Sequence, residues 1–144
     1  FSILALDFCL EVCHDHYVIE MREMMMKKEI DNLLELINND YERWTTASFR
    51  ANNYSEDRLV ETIANFREEC TVTEGSKYIK IIKRNAVWGF IVKTDTDKLF
   101  AKGDILMAAG YNAPARNKPR GNVFKMLEDG IGVGWVQWTG PGYL

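Results

Sequence analysis

The stretch KYIKIIKRNAVWGFIV, residues 77–92, decides the fold class because it contains two β-rich runs separated by only two residues. β-branched and aromatic side chains dominate both runs, and Arg84-Asn85 between them is short enough for a tight turn. We therefore predict an antiparallel hairpin here, which opens the β-rich half of the chain.

The sequence upstream of this hairpin has the periodicity of an amphipathic helix. Its apolar positions are Ile30, Leu33, Leu34, Ile37, Tyr41 and Trp44. Acidic residues occupy the opposite side, so we predict a helix over about residues 24–45 with the apolar stripe in the core. Tyr41 and Trp44 belong to that stripe and are predicted to be packing residues.

A second helix is predicted to begin after the polar stretch that ends at Tyr54. Ser55 is suited to cap it, and Glu56 and Asp57 follow in the first turn, where the helix dipole favours negative charge. This helix is expected to end near Cys70. Its predicted buried residues are Leu59, Ile63 and Phe66.

Beyond residue 92 the chain alternates turn signals with short apolar runs. We predict a strand-forming run at 105–109, a long loop at 110–122, a strand around 122–126, a glycine-rich turn at Asp129-Gly130 and a last strand over 133–139. The predicted fold is α+β: a helical hairpin at 25–72 followed by an antiparallel sheet of four to six strands at 77–144.

Residues 1–24 are interpreted as an N-terminal extension, because the methionines at 24–26 and the lysines after them are typical of a protein start. The segment lacks the basic beginning and the small-residue cleavage site of a secretory signal. Its first six residues fit either a strand or a helical turn. No run reaches the roughly 18–20 apolar residues of a membrane span, so we expect a soluble protein without a membrane partner.

Three cysteines raise the question of metal binding. Cys9, Cys13, His14 and His16 lie close together in the sequence. Structural zinc sites usually draw their ligands from two separated segments, and thiols in a reducing cytoplasm are more often inert. We therefore predict no metal site and no cofactor.

Charge is divided unevenly along the chain. Residues 1–76 contain 7 Lys+Arg and 16 Asp+Glu, a balance of −9, whereas residues 77–144 contain 11 and 5, a balance of +6. A basic second half favours phosphate-bearing ligands or nucleic acid. Alternatively, the acidic helices face the basic sheet within one fold or across a dimer.

The loop GYNAPARNKPRGN, residues 110–122, is the predicted ligand-binding segment. Arg116, Lys118 and Arg120 alternate along it, and alternate positions of an extended segment share one side. Three convergent cations suit a pyrophosphate, for which arginine offers a bidentate fork. A solvated basic loop without a ligand is the alternative.

Amide and aromatic side chains supply the other candidate contacts. Asn112, Asn117 and Asn122 could bond a base or ribose, although asparagine in turns more often bonds its own backbone. Trp88 and Phe90 are expected on the same sheet face, where either could stack on a base. Core packing is the alternative for both rings.

Catalysis is disfavoured because the second half contains no histidine and no cysteine, and its five acids lie in predicted turns. No nucleophile-and-base arrangement can be assembled from strand-borne residues, so we predict a binding protein rather than an enzyme. The alternatives are a nucleic-acid-binding module, a virion or host-factor interaction protein, and an enzyme that hydrolyses the nucleotide. Few cations lie outside the loop and no aromatic-rich binding sequence recurs, which disfavours nucleic acid.

Four segments of the second half form a distinctive set: mainly APARNKPRGN at 113–122, together with WGFIV at 88–92, KGDIL at 102–106 and WTGP at 138–141. Through these segments, residues 77–144 resemble the type 1 Thoeris anti-defence family of small phage proteins. The resemblance implies a protein that binds and sequesters, without cleaving, the cyclic ADP-ribose signal made by TIR-domain immune enzymes. Its place of action would be the cytoplasm of the infected host cell.

The resemblance also implies a homo-oligomer, with pockets at a dimer interface and, in some members, hexamers that hold cyclic oligonucleotides as well. Carried onto this chain, the aromatic-plus-arginine clamp on the nucleotide would be Phe90 with Arg116, and Arg120 is the next candidate. Residues 1–24 match nothing in the family, which leaves their role open.

Overall fold

Two helices and seven strands make up the part of the chain that the computed structural model describes. That part is the backbone of residues 2–126 and 135–142, with the side chains from Met26 onward. The helices precede a five-stranded antiparallel sheet and a separate two-stranded sheet, so the predicted α+β class is confirmed. Neither described helix has the length of apolar sequence that crossing a membrane requires.

The two helices are α1 (Ser2–Ala51) and α2 (Glu56–Glu69). Helix α1 is continuous through its first 24 residues, so the backbone there is helical rather than a strand. Ser55 caps α2 as predicted, because its hydroxyl oxygen accepts a hydrogen bond from the Arg58 N–H at 3.2 Å. On α2 the buried residues are Leu59 and Phe66, and Ile63 is half-buried.

The apolar stripe of α1 is buried along most of its predicted length. Its buried residues include Met26, Ile30, Leu33, Ile37 and Tyr41. The prediction is wrong for Trp44, which is 58% exposed although its ring lies 5.4 Å from that of Trp138. Thr45 is buried instead. Neighbouring residues of a helix point in directions about 100° apart, so the part of the chain that packs against α1 here covers Thr45 and leaves Trp44 exposed.

The five-stranded sheet follows chain order, and each strand pairs antiparallel with the next. Its strands are β1 (Cys70–Glu74), β2 (Tyr78–Lys83), β3 (Ala86–Val92), β4 (Asp104–Leu106) and β5 (Gly121–Asn122). Strands β6 (Val136–Gln137) and β7 (Gly140–Pro141) form a separate hairpin. The predicted β2–β3 hairpin is confirmed, and its turn residues Arg84 and Asn85 both have positive φ, 47° and 68°, as a type I′ turn requires.

Several predicted strand boundaries differ from the structure. Strand β1 is missing from the sequence prediction, which continues α2 to Cys70. The run at 105–109 is a strand only as far as Leu106, and residues 123–126 form turns after β5. The predicted turn at Asp129-Gly130 and the beginning of the last predicted strand, residues 133–134, lie outside the described residues.

Side chains of the sheet form two cores on its opposite faces. The face toward the helices contributes Ile79, Ile81, Trp88, Ile91 and Ile105 to the main core. The other face carries a smaller cluster of Phe90, Val92, Phe100 and Leu106. The smaller cluster lies beneath the loops that follow β3 and β4, and these loops contain most of the predicted site residues.

The prediction that Trp88 and Phe90 share a sheet face is wrong. Gly89 and Val87 pair with consecutive residues of β2, which leaves Trp88 as an extra residue in β3. Such a β-bulge shifts the alternation of side chains by one position. Trp88 consequently faces the helices, whereas Phe90 faces away from them.

Candidate ligand-binding site

Arg116 is held on the sheet face that points away from the helices. Its two Nη atoms donate to the Asp97 carboxylate oxygens at 3.1 and 3.0 Å, and Nη1 also donates to the Tyr78 hydroxyl. The guanidinium carbon lies 5.0 Å from the centroid of the Phe100 ring. Arg116 and the backbone N–H groups of Leu99 and Phe100 lower the pKa of Asp97 to about 2. The pair is therefore ionised over the whole physiological pH range.

Lys80 provides a second cation on the same face, two residues from Tyr78 along β2. Its Nζ donates to the Asn112 side-chain oxygen at 3.2 Å and lies 4.3 Å from the centroid of the Tyr111 ring. Tyr78 and Lys80 are alternate residues of β2, so Lys80 projects from the same sheet face as Tyr78, to which Arg116 donates. We define Tyr78, Lys80, Tyr111, Asn112 and Arg116 as the basic patch.

Tyr111 supplies the exposed aromatic ring of the basic patch. It is 55% exposed, whereas Trp88 and Phe90 are almost completely buried. The Trp88 indole N–H also donates to the Gln137 carbonyl at 2.6 Å, which fixes the ring in the main core. Trp88 and Phe90 therefore pack in the cores of the chain. Tyr111 replaces them as the candidate ring for stacking on a base.

The three alternating loop cations lie in different environments, contrary to the prediction that they share one exposed side. Arg120 is 7% exposed, and its Nη2 lies 4.0 Å from the Met107 sulfur. Lys118 is exposed, and Arg116 is bound by Asp97. The loop is not a regular strand over these positions, so the alternation of an extended segment does not apply.

The loop asparagines divide into structural and surface roles. Asn117 accepts a hydrogen bond from the Lys118 backbone N–H at 2.7 Å. The Asn122 side-chain oxygen accepts from the Phe124 backbone N–H at 2.9 Å, and its amide donates to the Asp104 carboxylate at 2.9 Å and to the backbone at the turn before β4. These contacts match the turn alternative for both residues, whereas Asn112 joins the basic patch through Lys80.

Ion pairs connect the acidic and basic halves of the chain at the hairpin. Arg84 lies 3.5 Å from Glu69, and Lys93 lies 2.8 Å from Glu74. Arg67 of α2 instead pairs with two carboxylates of α1, at 3.2 and 3.7 Å. Some of the basic residues of the second half are therefore paired with acidic residues of the first half of the same chain, which is the alternative to ligand binding for the uneven charge.

An open polar groove lies at the opposite end of the sheet, between α2 and the β2–β3 turn. Its volume is about 630 Å³. Its lining residues are Thr62, Asn65, Glu69, Thr71, Ile82, Arg84 and Asn85. Arg84 donates to the Tyr41 hydroxyl and so ties the turn to α1. The groove contains none of the site residues predicted from the sequence.

Sequence reasoning did not single out Tyr78, Lys80, Asp97 or Tyr111. Tyr78 and Lys80 alternate with buried isoleucines in β2, and this alternation was the available signal for two half-buried side chains on the face opposite the isoleucines. Tyr111 lies within the predicted loop. The Asp97 contact with Arg116 spans 19 residues and has no local sequence signal.

Metal-binding side chains do not cluster in the described part of the chain. No three His, Cys, Asp or Glu side chains there lie close enough together to hold an ion. The side chains of Cys9, Cys13, His14 and His16 lie outside that part.

Comparison with known proteins gives no family assignment. No protein-family model, curated protein or solved structure matches this chain.

Proposed function

We propose that this protein binds and holds, without cleaving, a small anionic nucleotide at the basic patch. The observation that carries the proposal is that the Lys80 ammonium contacts both the Tyr111 ring and the Asn112 amide oxygen, on the sheet face where Arg116 bonds Tyr78. Cations, an exposed aromatic ring and an amide are the three kinds of group that a nucleotide requires.

Each group of the basic patch has a distinct role in this proposal. Tyr111 stacks on the base, a contact that typically contributes about 1–3 kcal/mol. Lys80 and Arg116 bind the phosphates, and Arg116 offers the planar fork that matches phosphate oxygens. Asn112 bonds the polar edge of the base or a ribose hydroxyl.

The specific ligand class is a cyclic ADP-ribose isomer made by TIR-domain immune enzymes. Its support is the resemblance of residues 77–144, and sequestration would block immune signalling in the cytoplasm of an infected host. The same resemblance supports a homo-oligomer, either a dimer or a hexamer, in which a second copy completes the pocket. Light scattering on the purified protein measures that assembly directly.

Titration calorimetry with cyclic ADP-ribose isomers tests the proposal. Tyr111→Ala should weaken binding by roughly 5- to 150-fold, the equivalent of the lost stacking energy. Leu99→Ala is the matched control, because Leu99 is 69% exposed and lies outside the basic patch. Equal affinities of the two variants would contradict the assignment of the site.

A further inference from the structure

The Asp97 carboxylate occupies Arg116 in the arrangement that a phosphate would adopt. Both carboxylate oxygens accept from the two Nη atoms, at 3.0 and 3.1 Å, which is the bidentate geometry arginine uses for carboxylates and phosphates alike. The Asp97 side chain is 13% exposed and that of Arg116 is 40% exposed, so the guanidinium is the partner that solvent reaches more readily.

We infer that Asp97 is an internal competitor for the ligand, which a phosphate group must displace before it binds Arg116. This inference rests on the proposed function, since it concerns the same site. It names Asp97 as a specificity-determining residue. A ligand with a single carboxylate would exchange one carboxylate for another, whereas a pyrophosphate brings more charge and more acceptor oxygens.

The Asp97 carboxylate keeps other contacts when the Arg116 guanidinium turns from it toward a phosphate. Its Oδ1, which accepts from Arg116 Nη2 at 3.0 Å, also accepts from the backbone N–H groups of Leu99 and Phe100, at 2.9 and 3.2 Å. Breaking an ion pair whose arginine is 40% exposed costs little free energy, and a phosphate that takes Arg116 must supply that cost, so the competition should weaken phosphate binding by roughly two- to fivefold.

Asp97→Asn tests the inference because it keeps the shape and the Oδ1 acceptor but removes the competing charge. Asp95→Asn is the matched control, since Asp95 is an exposed acid in the same segment and its replacement changes net charge equally. Affinity for inorganic pyrophosphate and for a cyclic ADP-ribose isomer is measured by calorimetry at one fixed salt concentration. Asp97→Asn should bind both probes about two- to fivefold more tightly than Asp95→Asn.

The outcomes separate this inference from the proposed function. Equal affinities of the two variants, or weaker binding by Asp97→Asn, would overturn the competitor role even if the wild-type chain binds the nucleotide through Tyr111. Adding Arg116→Ala should abolish the difference between the variants, and a difference that persists also overturns it. If neither probe binds any variant or the wild-type chain, the proposed function fails and the inference fails with it.

Discussion

Lys83 should make the protein more stable as pH rises from about 8 to about 10.5. The residue is only 9% exposed, its Nζ donates to the Trp138 carbonyl and it lies 4.7 Å from the centroid of the Trp138 ring. Burial lowers the pKa of Lys83 from 10.5 to about 8, and the like charge of Arg84 acts in the same direction. The folded protein therefore loses this proton more readily than the unfolded chain does.

The sign of the effect follows from proton binding in the two states. Between about pH 8 and 10.5 the unfolded chain keeps the Lys83 proton and the folded protein releases it, so the free energy of unfolding rises through this window. One pKa unit corresponds to about 1.4 kcal/mol, so the full shift is equivalent to about 3 kcal/mol, of which about 2–3 kcal/mol falls between pH 7 and pH 10. Lys83→Met replaces the aliphatic part of the side chain by an unbranched apolar one of similar length and removes the titrating amine.

Urea denaturation, followed by tryptophan fluorescence between pH 7 and pH 10, measures the effect. The protein with Lys83 and the Lys83→Met variant should both carry Cys70→Ala. Cys70 pairs directly with Lys83 across β1 and β2, and burial raises the pKa of its thiol, so its own titration would otherwise add to the measured pH dependence. Between pH 7 and pH 10 the free energy of unfolding of the protein with Lys83 should rise by about 2–3 kcal/mol relative to that of the Lys83→Met variant. A difference that stays constant with pH would refute the reasoning.

Two further predictions concern packing. Gly121→Ala should lower the free energy of unfolding by about 1–3 kcal/mol, because its new methyl carbon would lie 2.4 Å from the Trp135 ring. Gly110→Ala is its control, since nothing lies within 4 Å there, and equal melting temperatures would contradict the prediction. Phe66→Ala should cost about 3–5 kcal/mol because Phe66 is fully buried. Val60→Ala, at a 66% exposed position, should cost less than about 0.5 kcal/mol in the same denaturation assay, and similar losses would count against this account of the core.

Local patterns predicted the elements whose structure is locally determined. The β2–β3 hairpin follows from two β-rich runs and a two-residue turn, and the Ser55 cap follows from the residue types at the start of α2. The buried stripe of α1 follows from the helical spacing of its apolar residues, but the residue at which the stripe ends does not. Which of Trp44 and Thr45 is buried depends on the elements packed against α1, and those come from distant parts of the chain.

Features that depend on pairing partners escaped prediction. Strand β1 begins at Cys70 without a glycine or proline to separate it from α2, and its pairing with β2 defines it. The bulge at Trp88 arises because Val87 and Gly89 pair with consecutive residues of β2. A rule of strict alternation assigns Trp88 and Phe90 to one face, and a single inserted residue reverses that assignment.

In the candidate site, too, the features set by local sequence were predicted and those set by distant contacts were not. The loop at 110–122 was predicted as the binding segment, and it contributes Tyr111, Asn112 and Arg116 to the basic patch. Burial of Arg120 and engagement of Arg116 by Asp97 depend on contacts across 13 and 19 residues, and no local pattern reports these. The chemistry of a loop is thus easier to predict than the direction of each of its side chains.

The most direct test of nucleotide sequestration is recovery of the intact ligand. The purified protein is mixed with a known amount of a cyclic ADP-ribose isomer, the free ligand is measured after filtration, and the protein is then denatured by heat. We predict that the free ligand falls by a fixed amount per chain and that heating returns it unchanged on chromatography and mass spectrometry. Unchanged free ligand after mixing, or return of a linear cleavage product, would contradict the account.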